Sequence, residues 1–138
     1  KLKTNQVKLA LKIFDYIHSL DSEKLALKIS EEQKKNNKKL KFFIQINIGN
    51  EKQKSGVDKD NLINFYNYCK KLNLDIIGLM CIPPVGNDPV KYFKIMCDLR
   101  NLINLEELSM GMSSDYIKAT KNSSTYLRIG TGIFGKRI

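Results

Sequence analysis

The sequence of 138 residues contains one histidine, three cysteines and no long apolar run. A membrane-spanning helix needs about 18 consecutive apolar residues, and no segment approaches that length, so no transmembrane span is predicted. The cysteines are Cys69, Cys81 and Cys97; an odd number without CxxC spacing argues against a disulfide framework and against a zinc site. Lysines interrupt the apolar residues of the first segment, which is not the pattern of a signal peptide. A cytoplasmic location is therefore expected.

Acidic residues are also few, because 14 Asp and Glu stand against 24 Lys and Arg and leave a formal net charge of +10. The excess is spread over both halves of the chain. Its densest run, at 34–41, contains five lysines without interleaved aromatic residues, which indicates a solvated helix end and loop. A basic nucleic-acid-binding module stays open as an alternative on charge alone. A hydrophobic fraction of 42% is enough for the core of one domain.

Apolar periodicity alternates along the chain between helical and extended segments. A helical face covers 6–16, and later helices are expected to begin at Asp21 or Ser22, at Asp58, at Asp88 with Pro89, and at residues 113–115. Extended segments are predicted at 17–20, 40–48, 74–82, 108–112 and 125–129, and a turn at 130–132. Strands that alternate with helices predict βαβ crossovers and a parallel sheet, either a (β/α) barrel or an open doubly wound sheet.

Glycine and hydroxyl residues follow the last two predicted strands, in the segments 109–115 (SMGMSSD) and 128–135 (RIGTGIFG). Ser113 and Ser114 bring hydroxyl and N–H groups to a helix start, and the glycines on either side of Thr131 expose backbone N–H donors. Arg128 adds a permanent cation. Ligands of parallel α/β folds bind at the carboxyl ends of the strands, and barrels often hold phosphate in their last two loops. The pattern predicts a phosphate site, with a plain helix cap and glycine turn as the alternative.

The spaced motifs GMSSD and RIGT resemble the pyridoxal phosphate homeostasis proteins, single-domain relatives of the alanine racemase N-terminal barrel. The resemblance covers essentially the whole chain. Further matches, in the family's order, are Leu2 and Asn5 with Val7-Lys8, Ile17-His18-Ser19-Leu20-Asp21, Ile44-Gln45-Ile46-Asn47, Lys54-Ser55-Gly56, and Gly78-Leu79-Met80-Cys81-Ile82-Pro83. The fold implied is α/β of the (β/α)8 TIM-barrel type. Residues 1–138 then form a single incomplete barrel domain, with about the last five units present and the first three missing.

The resemblance also implies a set of residues that bind pyridoxal 5′-phosphate (PLP). The cofactor phosphate is expected to contact Ser113, with Met112 and Ser114 beside it, and the backbone and hydroxyl of Gly130 and Thr131. Arg128 is expected to face the pyridine nitrogen, where a permanent cation disfavours protonation and weakens the ring as an electron sink. Asn47 and Met80 are expected to line the ring side.

The function implied is a non-catalytic one: PLP binding in cofactor homeostasis, with PLP-dependent enzymes as potential clients and with neither a membrane nor a specific nucleic acid as partner. A racemase or decarboxylase of the same barrel fold is the alternative. Racemases take a further catalytic base from a domain after the barrel, for which this chain leaves no room beyond Ile138.

Departures from the family pattern predict that residues 1–138 are a C-terminal fragment. The chain begins without Met, where the family's third strand has just ended, and contains nothing like the motif of the Schiff-base lysine. The customary Gln and Lys after that strand correspond to Lys3 and Gln6. A glycine before the Ser-Thr of the last strand is replaced by Ser123.

Two further residues receive structural interpretations. His18 lies close to Asp21 in sequence, but no partnered nucleophile accompanies this pair, so His18 is interpreted as a structural histidine at a strand end. Cys81, also at a strand end, is expected to be a buried thiol.

Overall fold

The computed structural model describes residues 1–52 and 55–138, in which helices and strands alternate. The strands are β1 (Tyr16–Leu20), β2 (Lys41–Ile46), β3 (Asp75–Cys81), β4 (Glu107–Met112) and β5 (Tyr126–Arg128). The α-helices are α1 (Val7–Ile13), α2 (Glu23–Asn36), α3 (Leu62–Lys71), α4 (Pro89–Leu102), α5 (Tyr116–Thr120) and α6 (Thr131–Phe134). Short 3₁₀ turns, Thr4–Gln6 and Lys59–Asn61, precede α1 and α3.

All five strands are parallel and lie in the order β1-β2-β3-β4-β5. Alternation along β2 separates two faces: Phe42, Ile44 and Ile46 join the core that the strands share with the helices, whereas Phe43 and Gln45 do not belong to it. Parallel neighbours joined by right-handed crossovers place their helices on one face of the sheet. The α/β fold and the parallel sheet predicted from the alternating periodicity are therefore confirmed.

Contacts between side chains of the first and last strands show that the sheet is strongly curved. A flat sheet would hold β1 and β5 about 19 Å apart, at about 4.8 Å per strand. The His18 and Tyr126 ring centroids nevertheless lie 5.5 Å apart, and those of Tyr16 and Tyr126 6.0 Å apart. The five strands therefore form a half-barrel, whose concave face carries His18, Phe43 and Tyr126.

The predicted helix starts have different outcomes. Ser22 and Asp88 cap their helices as expected, accepting hydrogen bonds from the N–H groups of Leu25 (3.3 Å) and Val90 (3.3 Å). Asp58 precedes the 3₁₀ turn Lys59–Asn61 rather than α3 itself, and its side chain makes no capping hydrogen bond. The turn predicted at 130–132 is wrong in part: Gly130 precedes a single helical turn, Thr131–Phe134.

Hydroxyl groups complete the pairing of the short strand β5 with β4. Leu108 N–H donates to the Thr125 hydroxyl oxygen (2.9 Å), and the Ser124 hydroxyl donates to the Met110 carbonyl (2.6 Å). Ser123, just before them, has a φ of 66°. This is the left-handed region, where glycine is unstrained and serine is not.

The lysine-rich run 34–41, which extends from the end of α2 to the start of β2, makes contacts within the chain. Lys35 lies 3.8 Å from the Glu32 carboxylate and Lys38 lies 3.9 Å from that of Asp15. Lys41 Nζ lies 5.8 Å from the centre of the Tyr16 ring. These contacts are those of a solvated helix end.

None of the helices within 1–52 and 55–138 combines the length and the apolarity that crossing a membrane requires.

Candidate functional site

The loops after β4 and β5 meet through one hydroxyl group. Ser113 Oγ accepts hydrogen bonds from the N–H of Gly132 (2.9 Å) and from the N–H of Gly130 (3.3 Å), 17 to 19 residues further along the chain. The two segments singled out in the sequence are therefore in contact. Residues 113–115 were expected to cap α5, and this is correct only in position: Asp115 is the residue directly before α5, but no side chain of the three caps the helix. The Ser113 hydroxyl instead crosses to the other loop, and Asp115 Oδ1 accepts from the Met112 N–H (2.7 Å).

The two loops enclose a cleft of about 630 Å³, which contains six of the eight predicted residues. It is lined by Met112, Ser113, Ser114, Arg128, Gly130, Thr131, Phe134, Gly135, Lys136 and Arg137. Ser113 uses its oxygen as acceptor for two N–H groups, so its hydroxyl hydrogen remains available to donate into the cleft. Within the described part of the chain, the Thr131 side chain and N–H have no hydrogen-bond partner.

Positive charge at the cleft comes from side chains rather than from helix dipoles. Helices α5 and α6 contain only five and four residues, so their macrodipoles are small. The cations that line the cleft are Arg128, Lys136 and Arg137. The sequence interpretation missed Phe134 and 135–137 as residues of the cleft. Lys136 and Arg137 could have been found from the sequence, because they are a pair of basic residues directly after a glycine.

Arg128 lies between the cleft and the concave face and is fixed by two hydrogen bonds. Its Nη1 donates to Ser109 Oγ (2.6 Å), and its Nη2 donates to the Cys81 carbonyl (2.8 Å). Burial lowers the pKa of Arg128, yet a guanidinium stays protonated in proteins. The position of this cation is therefore determined by strands β3 and β4 as well as by its own strand.

His18 takes part in the same hydrogen-bond network. Its Nδ1 lies 2.8 Å from Ser109 Oγ, and burial, followed by the charge of Arg128, lowers the pKa of its imidazole. No hydrogen bond joins His18 to Asp21 among the described residues; the Asp21 carboxylate lies 3.2 Å from Lys1 Nζ. His18 lies in the middle of β1 rather than at its end, so that detail of the interpretation is wrong.

Gly111 allows the GMSSD segment to turn. Its φ is +99°, and a Cβ atom there would lie 2.7 Å from Ala119 Cβ and 2.9 Å from Leu127 Cδ2. Both the backbone conformation and the close approach of α5 therefore require glycine. The backbone conformation at Gly111 therefore affects the direction of the chain at Ser113, the first residue after β4.

Asn47 and Met80 line a second cavity of about 310 Å³, at the same end of the sheet, together with Lys1, Ser19, Gln45, Ile46, Ser55 and Ile82. Asn47 Nδ2 donates to the Glu51 carbonyl (2.9 Å), and its Oδ1 accepts from the Glu51 N–H (3.2 Å), so its amide stabilises the loop after β2. Met80 is paired in register with Ser109 on β4. A role for Asn47 and Met80 beside a ligand ring stays a prediction.

Other chemistry has little support in the described ranges. No group of three or more His, Cys, Asp or Glu side chains is placed to hold a metal ion in 1–52 and 55–138. Burial raises the pKa of the Cys81 thiol to about 12, so this cysteine is a weak nucleophile. The matched segment Lys54-Ser55-Gly56 begins at a residue, Lys54, that lies outside the described residues.

Comparison with known proteins decides the family. The family model described as alanine racemase, N-terminal domain, matches residues 2–137. The chain belongs to the alanine racemase N-terminal domain family.

Relatives of this chain include proteins named pyridoxal phosphate homeostasis protein, the family that the GMSSD and RIGT motifs resemble. The protein of that name from Aquifex aeolicus is 38% identical, over 99% of this chain and 64% of its own length. The one from Synechocystis is 34% identical, over 100% of this chain and 68% of its own. The chain thus spans less than two thirds of the Aquifex aeolicus relative and about two thirds of the Synechocystis one.

A solved structure in the same family is PipY of Synechococcus elongatus PCC7942 with PLP bound. It is 31% identical, superposes with a TM-score of 0.85, and the match covers 98% of this chain and 68% of PipY. The half-barrel of this chain is therefore a fold that the family shares.

Proposed function

We propose that this chain binds pyridoxal 5′-phosphate through its phosphate group and takes part in cofactor homeostasis without turnover. The observation that carries the proposal is the Ser113 hydroxyl, which joins the loops after β4 and β5 and leaves its hydrogen to donate into their cleft. Homologues named for pyridoxal phosphate homeostasis, and PipY with PLP bound, support the same ligand.

The chemistry of the cleft fits a phosphate group. Phosphate oxygens are strong acceptors, and the Ser113 and Thr131 hydroxyls with the Thr131 N–H are donors that line the cleft. A phosphate monoester carries a charge of about −1.5 to −2 at neutral pH. Lys136 and Arg137 supply cations at the same opening. Gly130 leaves space for a ligand, because a Cβ atom there would meet nothing within 4 Å.

The non-catalytic role rests on Arg128. PLP supplies an electron sink when bound, and that sink is strongest with a protonated pyridine nitrogen. The Arg128 guanidinium, held by Ser109 and the Cys81 carbonyl, cannot accept a proton and opposes a second positive charge beside it. A pyridine nitrogen placed against Arg128 stays neutral, which favours cofactor storage over carbanion chemistry.

The five β/α units correspond, in this proposal, to the last five of an eight-unit barrel. The chain spans 64% of the Aquifex aeolicus relative, and its parallel sheet has the curvature of part of a barrel. A Schiff-base lysine then belongs to the remaining units. Reading the coding sequence upstream in frame tests this: a strand that ends in a lysine motif supports it, and an in-frame stop codon contradicts it.

A cytoplasmic location and PLP-dependent client enzymes complete the proposal. Cys69, Cys81 and Cys97 are free thiols, as a reducing compartment requires. To identify a client, the PLP-loaded chain is incubated with the apo form of a PLP-dependent enzyme. A client would gain activity while the chain loses its PLP absorbance.

Calorimetric titration of the chain tests the binding site. Pyridoxine 5′-phosphate lacks the aldehyde, so it probes the phosphate and ring contacts without a lysine. We expect it to bind at least about tenfold more tightly than pyridoxine, because charge-assisted hydrogen bonds contribute about 1.5–3 kcal/mol. Equal affinities for the two compounds would contradict a phosphate site in this cleft.

Activity assays distinguish the proposed function from the alternative of a racemase or decarboxylase. We expect no racemisation of alanine and no decarboxylation of basic amino acids above the rate of free PLP. Turnover at rates ordinary for enzymes, about 1–1000 per second, would favour the alternative.

A further inference from the structure

We propose that His18 is a positioning residue for Arg128 and acts through the hydroxyl group of Ser109. Residues from three strands make this contact: His18 on β1, Ser109 on β4 and Arg128 on β5. The distances are 2.8 Å from His18 Nδ1 to Ser109 Oγ and 2.6 Å from Ser109 Oγ to Arg128 Nη1. The proposal rests on the proposed function only in its last step, the use of Arg128 against a pyridine nitrogen.

The directions of the two hydrogen bonds follow from the chemistry of the groups. A guanidinium can only donate, so Ser109 Oγ accepts from Arg128. The single hydroxyl hydrogen of Ser109 is then left for His18 Nδ1, provided that this nitrogen carries no proton. A His18 that donated from Nδ1 would leave the hydrogen of the fully buried Ser109 hydroxyl without an acceptor among the described residues. The satisfied arrangement is a neutral His18 protonated at Nε2.

The surroundings of His18 favour the neutral ring and hold it still. The ring stacks on Phe43, with centroids 4.1 Å apart and planes at 18°, and meets Tyr126 edge-on. Among the described residues, the titratable groups beside it are Tyr126 and Arg128 on β5, and Tyr16 on its own strand contacts Tyr126. Burial raises the pKa of the Tyr126 phenol, so Arg128 is the charged neighbour, and its charge opposes an imidazolium.

The consequence is that a residue of the first strand determines where the cation of the last strand lies. Without the Nδ1 acceptor, Ser109 can turn its hydrogen elsewhere and Arg128 loses a fixed partner. Arg128 would then be anchored by the Cys81 carbonyl alone. We expect such a guanidinium to contact a pyridine ring less well but to leave the phosphate contacts unchanged.

The wild-type chain supplies the first test, because it contains a single histidine. Two-bond ¹H–¹⁵N correlation spectra of the imidazole report its tautomer directly. We expect a ring protonated at Nε2, with Nδ1 as a hydrogen-bonded acceptor whose ¹⁵N shift changes in Ser109→Ala. A ring protonated at Nδ1, or an Nδ1 shift unchanged in Ser109→Ala, would overturn the proposal.

Two substitutions of His18 supply the second test. His18→Asn keeps an acceptor at the position of Nδ1 but loses the ring, whereas His18→Phe keeps the ring and loses the acceptor. We expect His18→Phe to weaken binding of pyridoxine 5′-phosphate about tenfold, the effect of one hydrogen bond of about 1.4 kcal/mol, without changing the affinity for inorganic phosphate. His18→Asn should stay within about threefold of wild type, equivalent to about 0.7 kcal/mol.

The opposite order of affinities would overturn the proposal. If His18→Phe binds like wild type and His18→Asn binds both pyridoxine 5′-phosphate and inorganic phosphate more weakly, only the ring stacking of His18 matters. A wild-type chain that binds neither ligand would contradict the proposed function instead. The tautomer and its response to Ser109→Ala would still decide the contact between His18 and Ser109.

Discussion

The cleft and the concave face of the half-barrel use their polar groups in opposite ways. In the cleft, the Thr131 side chain and N–H have no hydrogen-bond partner among the described residues, and Phe134 is 85% exposed at its rim. On the concave face, Ser109 is fully buried and contacts both His18 and Arg128. The cleft is thus suited to receive a ligand, whereas the concave face is already organised and holds a cation in place. Arg128 belongs to both regions.

The largest expected difference between the two regions concerns stability. Phe43 is fully buried between His18 and Tyr126, so Phe43→Ala should lower the free energy of unfolding by about 3–5 kcal/mol. Phe134→Ala, in the exposed rim, should change it by less than about 0.5 kcal/mol. Urea unfolding followed by circular dichroism measures both. Similar losses would mean that the concave face is not a packed region.

Ligand affinity should show the reverse dependence. Ser113→Ala removes a donor to the ligand and the acceptor that joins the two loops, so we expect pyridoxine 5′-phosphate to bind about 10- to 100-fold more weakly. Ser114→Ala is the matched control, because Ser114 lines the same cleft without bridging the loops. Calorimetry on both variants is the measurement. An equal effect of the two substitutions would contradict the special role of Ser113.

Acid should destabilise the concave face specifically. Burial and Arg128 lower the pKa of His18 in the folded chain below the value of about 6.5 expected when it is unfolded. The unfolded chain therefore takes up the proton first, and the free energy of unfolding should fall as the pH drops below about 6.5, until the lowered folded pKa is passed. Urea titrations of wild type and His18→Phe across pH 5 to 8 isolate this contribution. An identical pH dependence in the two proteins would exclude it.

The smallest expected effect lies at the turn before β5. Ser123 has a φ of 66°, so Ser123→Gly should raise the free energy of unfolding by up to about 1 kcal/mol. Asn73→Gly is the control: its φ is 56°, but asparagine tolerates this conformation better, so a smaller gain is expected. Thermal unfolding of the two variants compares them. A gain only in Asn73→Gly would contradict this explanation of the departure at Ser123.

Local patterns determined much of what the structure contains. Apolar periodicity predicted five strands separated by helices, because a buried strand face and a helical stripe repeat within a few residues. Six residues of the cleft were also predictable, since residues such as Ser113 and Thr131 lie in short glycine-containing segments whose chemistry is visible locally. The details that failed, such as Asp58 as a cap and the turn at 130–132, depended on how one turn leads into the next.

Only the tertiary structure decided which groups share a hydrogen bond. His18 and Ser109 are 91 residues apart, and nothing in their local sequence links them. Curvature of the sheet brings β1 against β5, and that closes the contact from His18 through Ser109 to Arg128. The use of the Ser113 hydroxyl as a bridge, rather than as a helix cap, was decided in the same way. Local sequence sets the shape of each element, but the choice of hydrogen-bond partner depends on packing across strands distant in the chain.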